Sequence, residues 1–305
     1  MARAWRRIDG VLPLDKPAGM SSNAALQAAR RIYSAEKAGH GGTLDPLASG
    51  MLPILFGQAT RFAAWLLGAD KTYLASVQLG VTTRTADSEG AVLEIRPVQT
   101  DLKQIDDALA RFRGEIEQVP PMYSALKRDG RPLYELARQG ISVERTPRRV
   151  RIVHLERLGV SGTRLELRVT CSKGTYIRTL AEDIGSALGC GAHLASLRRI
   201  AAGKLDIGQA ITLDALASLD ERARAGRLIP AESLLAGLAE TRLDPEVARR
   251  FCHGQRVGAG FALGVTYRVC TLEGIFLGIG VGKEGGTLNA RRLVSGGAPE
   301  DGATS

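Results

Sequence analysis

The chain is poor in residues that make covalent or metal staples. Its 305 residues include only four cysteines and four histidines. Cys171, Cys190, Cys252 and Cys270 are widely separated and form no CxxC pair, so neither a disulfide framework nor a metal site is expected, and the thiols read as buried and free. Aromatic residues make up 5% of the chain, which leaves Leu, Ile, Val and Ala to build the core. Long apolar runs are also missing: segments such as Phe62 to Leu67 fall far short of the roughly 18 to 20 residues a membrane-spanning helix needs. The start is basic, with Arg3, Arg6 and Arg7, but Pro13 and Asp15 interrupt the only nearby apolar piece and exclude a signal-peptide core. A cytoplasmic protein without membrane association is the expectation.

Positive charge is abundant. Lysine and arginine number 41 against 32 acidic residues, a net charge of +9 that favours a polyanionic partner, nucleic acid before membrane lipid. The length exceeds what one compact core comfortably supports, so a large domain with a smaller companion is expected.

Along the chain, Val11 to Leu14 reads as an extended piece that turns at Asp15-Lys16-Pro17-Ala18-Gly19. Ser21 or Ser22 then caps a helix carrying Ala25, Leu26, Ala29, Ile32 and Tyr33, with Gly39 as its stop. Tyr73, Ala75, Val77, Leu79 and Val81 alternate as one strand face. A turn around Asp87-Ser88-Glu89-Gly90 leads to Val92-Leu93-Glu94-Ile95, which predicts an antiparallel pair. Ile105 to Phe112 reads as helical, and residues 124–151 as an exposed basic excursion. Leu165, Leu167, Val169 and Cys171 alternate again before a helix with Ile177, Leu180, Ala181, Ile184 and Leu188, stopped at Gly189. From about Thr241, short glycine-broken strands predict a small β domain, and residues 296–305 are expected to be disordered. Gly278-Ile279-Gly280-Val281-Gly282-Lys283 matches no nucleotide-binding spacing and reads as strand and turn glycines.

The segment from His40 to Gly50 has three glycines, a proline and polar groups without helical or strand period, as functional loops do. Aspartate before proline is held extended, so the Asp45 carboxylate can be presented rigidly. The same dipeptide also suits a helix cap with Pro46 at the first helical position, and local sequence alone favours the cap.

The wider pattern shifts that balance. Leu14-Asp15-Lys16-Pro17-Ala18-Gly19-Met20-Ser21-Ser22 is followed by Ala38-Gly39-His40-Gly41-Gly42-Thr43-Leu44-Asp45-Pro46-Leu47-Ala48-Ser49-Gly50-Met51-Leu52-Pro53. Then come Asp70-Lys71-Thr72-Tyr73, Pro121-Met122-Tyr123-Ser124-Ala125-Leu126-Lys127, Cys171 to Leu180 and Gly189 to Leu194. In this order, over most of the first ~200 residues, these strings closely resemble the motifs of bacterial tRNA pseudouridine(55) synthases, the TruB family.

The resemblance implies an α+β pseudouridine synthase fold, with a mixed, mainly antiparallel sheet flanked by helices and a small C-terminal β-rich PUA-like domain. It implies a catalytic domain over 1–237, whose excursion at about 124–151 closes over RNA, an RNA-binding domain over 238–295 and a tail at 296–305. It further implies that Asp45 is the catalytic aspartate, that His40, Tyr73, Tyr176 and Leu197 contact the target nucleotide, and that Arg178 pairs with Asp45. Lys16 either contacts a phosphate or supports the catalytic loop. Tyr73 also fits a buried core position, and Leu197 fits ordinary packing. Arg84 departs from the family, where relatives can carry an acidic residue shortly before the position of Asp87, and Asp87 is therefore not assigned a catalytic role. Uridine 55 in the T-arm of tRNA is the implied target, with no cofactor, no metal and no obligatory protein partner.

These residue types suit the chemistry. Pseudouridine formation breaks the bond from ribose C1′ to N1, turns the base and rejoins it through C5, without redox chemistry or ATP. A carboxylate can attack C1′ or take a proton from the ribose, and both roles stay open. A target nucleotide must leave its stack, which calls for groups such as Tyr73 and His40 to stack on the base and fill the gap. Two other classes compete: a non-catalytic tRNA-folding chaperone, which has no use for a rigidly held aspartate, and a glycosidase, which needs a paired acid that the sequence does not supply. Basic clusters at Arg145, Arg148, Arg149 and Arg151, at Arg198-Arg199 and at Arg291-Arg292 are candidate phosphate contacts. We therefore expect tRNA affinity to fall steeply between about 50 and 200 mM salt in a filter-binding titration; a flat response would remove the basic surface from recognition.

Overall fold

The computed structural model describes residues 4–294. Its first strand, β1 (Gly10–Lys16), is buried on both faces, with Val11, Leu12 and Leu14 fully enclosed. The Pro17–Gly19 turn leads to α1 (Ser22–Tyr33), capped by the Ser21 hydroxyl accepting the Ala24 N–H at 3.1 Å. Ala25, Leu26, Ala29 and Tyr33 face the core at the expected spacing. The helix ends at Tyr33 rather than Gly39, because Ser34 takes the left-handed conformation and closes it. Ala38 to His40 are drawn instead into β2 (Ala38–His40), antiparallel to β3 (Ser49–Phe56).

Beyond α2 (Ala63–Gly68) come β4 (Lys71–Leu79), β5 (Val81–Thr83) and β6 (Val92–Ile95). The antiparallel pair expected across the Asp87–Gly90 turn forms through Val81 and Ile95, but it involves β5 alone, while β4 enters the main sheet with another set of neighbours. A central strand whose residues pack on both sides has its hydrogen bonds committed elsewhere. The helix α3 (Leu102–Ala110) begins three residues before Ile105, capped by Asp101 and Gln104 in a reciprocal capping box. After β7 (Gly114–Gln118), the excursion forms the short hairpin β8 (Lys127–Arg128) and β9 (Arg131–Pro132), then α4 (Leu133–Arg138). Its last four residues do not belong to it: Arg148 to Arg151 open β10 (Arg148–Ser161) and pair with β7.

The chain continues through β11 (Arg164–Cys171), α5 (Ile177–Ala187), β12 (Ala192–Ala202), β13 (Leu205–Asp206), β14 (Ile211–Thr212), α6 (Leu213–Ser218) and α7 (Glu221–Ala225). Ten strands form one sheet in the order β14-β1-β3-β12-β4-β11-β10-β7, with β13 on β12 and β2 on β3. It is mixed but mainly antiparallel; only the β1–β14 and β3–β12 pairs run parallel. Helix α5 packs Ile177, Leu180, Ala181 and Ile184 into the same core as Leu12, Leu52, Val77 and Leu167. That sheet brings β1, β3, β4 and β12, distant in sequence, side by side beneath the His40–Gly50 loop.

A second sheet is separate: β15 (Ala239–Leu243), α8 (Pro245–Cys252), β16 (Thr266–Thr271), β17 (Phe276–Gly282) and β18 (Leu288–Leu293) follow in sequence, and the strands pair in the order β15-β16-β17-β18. The glycines at 278, 280 and 282 sit in β17, as read from their spacing. This unit has its own core around Phe251, Val269, Leu277 and Leu288. The α+β class stands. The segment 296–305, expected to be disordered, lies outside the described residues.

The two sheets meet at Phe62, which is fully buried with its ring 5.6 Å from that of Phe276 and against Leu235 and Ile279. Truncating a buried phenylalanine costs about 3–5 kcal/mol. Phe62→Ala should therefore lower the melting temperature and make the 239–293 unit the first to be released in limited proteolysis.

Candidate active site

The Asp45 loop is held by its backbone. Buried Ser22 donates its hydroxyl to Leu44 O at 2.9 Å and accepts the Leu44 N–H at 2.8 Å, tying the residue before Asp45 to the start of α1. The Gly19 N–H reaches Pro46 O at 2.8 Å, and the Ala48 N–H closes a turn onto Asp45 O at 3.0 Å. Aspartate followed by proline suits the first two positions of such a turn. No helix follows Pro46, so the capping reading of Asp45 falls.

Arg199 holds the loop from below. Its guanidinium, 1% exposed, donates from Nε to Met51 O at 2.6 Å, from Nη2 to Gly42 O at 3.1 Å and from Nη1 to Thr43 O at 3.5 Å. It thus joins both ends of the loop to β12. The fit leaves no room above it: Gly50 has φ +99°, and a Cβ there would lie 2.2 Å from Arg199 O. Arg199 is therefore not a phosphate contact. Its neighbour Arg198 is half-exposed and makes a two-point pair with Asp15, at 3.0 and 2.7 Å.

Lys16 resolves toward support. Its side chain is fully buried, and Nζ donates to Pro17 O at 2.8 Å and Met20 O at 2.6 Å, fixing the turn that precedes α1. Burial lowers its pKa to about 8, against the pull of the Asp45 charge. An ammonium with no exposed surface has no access to an RNA phosphate.

Arg178, in the first turn of α5, completes the arrangement. Its side chain is 5% exposed, and Nη2 lies 2.9 Å from Asp45 Oδ2 and donates to Tyr123 O at 2.8 Å. Nη1 donates to Thr85 O at 3.3 Å and stands 3.6 Å from Asp87 Oδ2. One guanidinium thus faces two carboxylates. Asp87 is itself buried, and its Oδ1 accepts the Thr85 hydroxyl and the Glu89 N–H. Asp87, given no catalytic role by the sequence, lines the cleft and shares Arg178 with Asp45. Its sequence signal was its match to an aspartate of the family pattern, put in doubt by the departure at Arg84. Asp87 does not make the glycosidase pair, because its oxygens are engaged and enclosed.

The cleft above Asp45 has a volume of about 430 Å³ and is lined by His40, Thr43, Asp45, Asp87 and Arg178, with Tyr123, Ser124, Tyr134 and Arg138 on the opposite side. Of these, Ser124, Tyr134 and Arg138 belong to the 124–147 excursion, whose Leu133 and Leu136 are buried, so the segment is anchored on apolar contacts. Sequence reasoning missed Tyr134 and Arg138, which lie outside the matching strings. His40 is half-buried, with no hydrogen-bond partner for its buried Nδ1; burial and then Arg199 lower its pKa, which favours the neutral ring.

Tyr73, on β4, and Tyr176, just before α5, are not part of that lining. Both are half-buried, and burial raises their pKa values, with the Asp45 charge adding in the same direction. Tyr176 precedes α5, where Gln118 exchanges hydrogen bonds with its backbone. Leu197 is buried on β12 opposite Ala75, one strand position from the Arg198–Leu74 pair, and belongs to the core. His40, Asp45 and Arg178 are thus brought into one cleft, with Leu197 and Tyr73 packed in the same cluster outside its lining.

With this geometry established, three family descriptions match the chain: TruB family pseudouridylate synthase (N terminal domain) over 30–177, tRNA pseudouridylate synthase B C-terminal domain over 178–236, and pseudouridine synthase II TruB, C-terminal, over 239–294. The chain is 55% identical over 292 residues to tRNA pseudouridine synthase B of Dechloromonas aromatica (strain RCB), across 96% of this chain and 97% of the relative. It is 53% identical over 300 residues to the protein of that name from Burkholderia mallei (strain NCTC 10247), across 96% and 99%. Among solved structures, a Cbf5-Nop10-Gar1 complex matches with TM-score 0.74 at 27% identity, over 93% of this chain and 84% of that one. An H/ACA RNP bound to a substrate RNA containing 2′-deoxyuridine matches with TM-score 0.72 at 27% identity, over 96% and 86%.

The electrostatics yield a signed expectation. Burial raises the Asp45 pKa above the ordinary 3.8, Arg178 opposes that shift, and the nearby Asp87 charge adds to it. The Asp45 carboxyl should therefore ionise at a pH above 3.8 in carbon-13 NMR of labelled aspartates. Asp87→Asn removes a like charge and leaves Arg178 to Asp45, so the transition should move to lower pH; a shift upward would contradict the assigned arrangement.

Proposed function

Because this chain belongs to the TruB family of pseudouridylate synthases, we propose that Asp45 is the catalytic carboxylate of its tRNA pseudouridine synthase activity, directed at uridine 55 in the T-arm. The observation that carries the assignment is the 2.9 Å pair between Asp45 and the buried Arg178 at the floor of a cleft with room for a nucleotide. The pair keeps the carboxylate ionised against its burial and aims it, since a guanidinium committed at several points has little freedom to turn.

The ionised carboxylate then acts either as nucleophile at C1′ or as base toward the ribose. In both routes the C1′–N1 bond breaks, the base turns and C5 bonds to C1′, with the C5 proton lost and N1 protonated. No net oxidation occurs. Extrusion of the target leaves a gap in the RNA stack, and the neutral His40 beside the cleft is suited to occupy it. Tyr73, Tyr176 and Leu197 contact the target nucleotide, the two tyrosines supplying phenol rings against the base. Lys16 and Arg199 act through the loop they hold.

The excursion of residues 124–147 carries Tyr134 and Arg138 over the cleft, where they meet the RNA arm. The catalytic part spans 1–237, and the C-terminal part, 238–295, supplies a PUA-like RNA contact. The enzyme works in the cytoplasm without an obligatory protein partner or cofactor. Among the described residues, no helix is long and apolar enough to cross a membrane.

Asp45→Asn should abolish tritium release from 5-tritiated tRNA while leaving tRNA affinity within about twofold, because a neutral isostere keeps the shape and loses the nucleophile or base. Full release by this variant would remove Asp45 from the mechanism, and none from the wild type would favour the chaperone reading. A tRNA with cytidine at position 55 should release no tritium from that site; undiminished release would place the target elsewhere.

A further inference from the structure

A second cleft, of about 690 Å³, opens between α2 and the C-terminal sheet, lined by Trp65, Asp70, Lys204 and Arg291 among apolar side chains. It shares no lining residue with the Asp45 cleft. Trp65 is half-buried, with Phe62 6.4 Å from its ring, while Asp70, Lys204 and Arg291 are exposed. The Arg291 guanidinium stands over the Trp65 ring, 5.8 Å from its centroid and near the outer limit of about 6 Å for a cation–π contact, so a base stacks on this indole by displacing the exposed Arg291 side chain.

Arg291 also borders a neighbouring cleft of about 440 Å³, whose lining includes Arg61 and Arg292 and no acidic residue. An aromatic face continuous with three arginines is the chemistry that single-stranded nucleic acid meets: bases stack, phosphates follow the cations. A free mononucleotide uses the first cleft but has no chain to lay along the second.

We infer that the Trp65 cleft is a second nucleotide-binding site, which takes one base of the tRNA outside the target nucleotide, with the adjoining phosphates along Arg291, Arg292 and Arg61. The inference rests on the reading of the chain as acting on tRNA. The same helix reaches the catalytic loop: Leu66 packs so closely on Gly41, beside His40, that a Cβ at Gly41 would lie 2.6 Å from Leu66 Cδ1. Lys71 fixes that helix end by donating to Leu66 O, Leu67 O and Ala69 O at 2.9, 2.9 and 2.6 Å. The Trp65 cleft and the wall of the His40 loop are thus built on the same short helix.

The chain has two tryptophans, so Trp5→Phe leaves Trp65 as the sole indole reporter. Full-length tRNA should quench its fluorescence and a T-arm minihelix should not. Trp65→Ala should raise KM for full-length tRNA roughly tenfold, the lower part of the range for one lost stack, and leave the minihelix unchanged. Arg292→Ala should reduce the salt slope of full-length tRNA binding by about one. Absence of quenching by tRNA, or equal losses on both RNAs, would overturn the site, and quenching by AMP but not by tRNA would assign it to free nucleotides instead. Failure of the wild type to modify either RNA would instead overturn the reading of the enzyme's substrate, because quenching is read without turnover.

Discussion

The site depends on one buried guanidinium. Arg178 has almost no solvent of its own, so its charge must be met by the protein, and it is met by Asp45, Asp87 and two backbone carbonyls. Removing one partner from such a buried arrangement typically costs about 3–5 kcal/mol, because the charge left behind has no water to turn to. That penalty locks the geometry. The carboxylate proposed for chemistry is thus held in place by the same interaction that keeps it charged.

Holding the acid requires holding the loop that bears it, and here backbone bonds matter more than side-chain packing. Ser22 binds one side of Asp45, the Gly19 N–H binds Pro46, and Arg199 reaches carbonyls before and after the turn. These anchors come from α1, the turn after β1, and β12, which only the ten-stranded sheet makes neighbours. A loop rich in glycine has much conformational entropy to lose, and several fixed acceptors limit that loss to the folding step. The cleft is then pre-organised before any RNA arrives.

Charge is distributed by role. Lys16, Arg178 and Arg199 are buried and serve the protein itself. Arg291, Arg292 and Lys204 lie exposed around the junction of the two sheets, where a polyanion can reach them. The net charge of +9 is therefore a poor map of the RNA surface until burial separates structural cations from available ones.

Much of this protein was legible in its sequence. Strand alternation at Leu165 to Cys171, the helix after Thr175 and the glycine-rich β17 follow from local periodicities of two and 3.6, which short segments carry within themselves. The ordered motifs placed Asp45, His40 and Arg178 together before any coordinates. Other features needed the tertiary structure, because they are settled by partners far away in the chain. The helix through Ile32 stops at Tyr33 because residues 38–40 pair with β3, and β6 joins β5 because β4 is taken by β11 and β12. Arg199 reads as a phosphate contact in sequence and Lys16 as either that or loop support, yet both lie buried against backbone carbonyls. Asp87 acquires its place only when Arg178, 91 positions later, is folded beside it. Sequence determined the identity of the reactive groups and their local conformations, whereas burial and long-range pairing decided which charges hold the site and which remain free to bind.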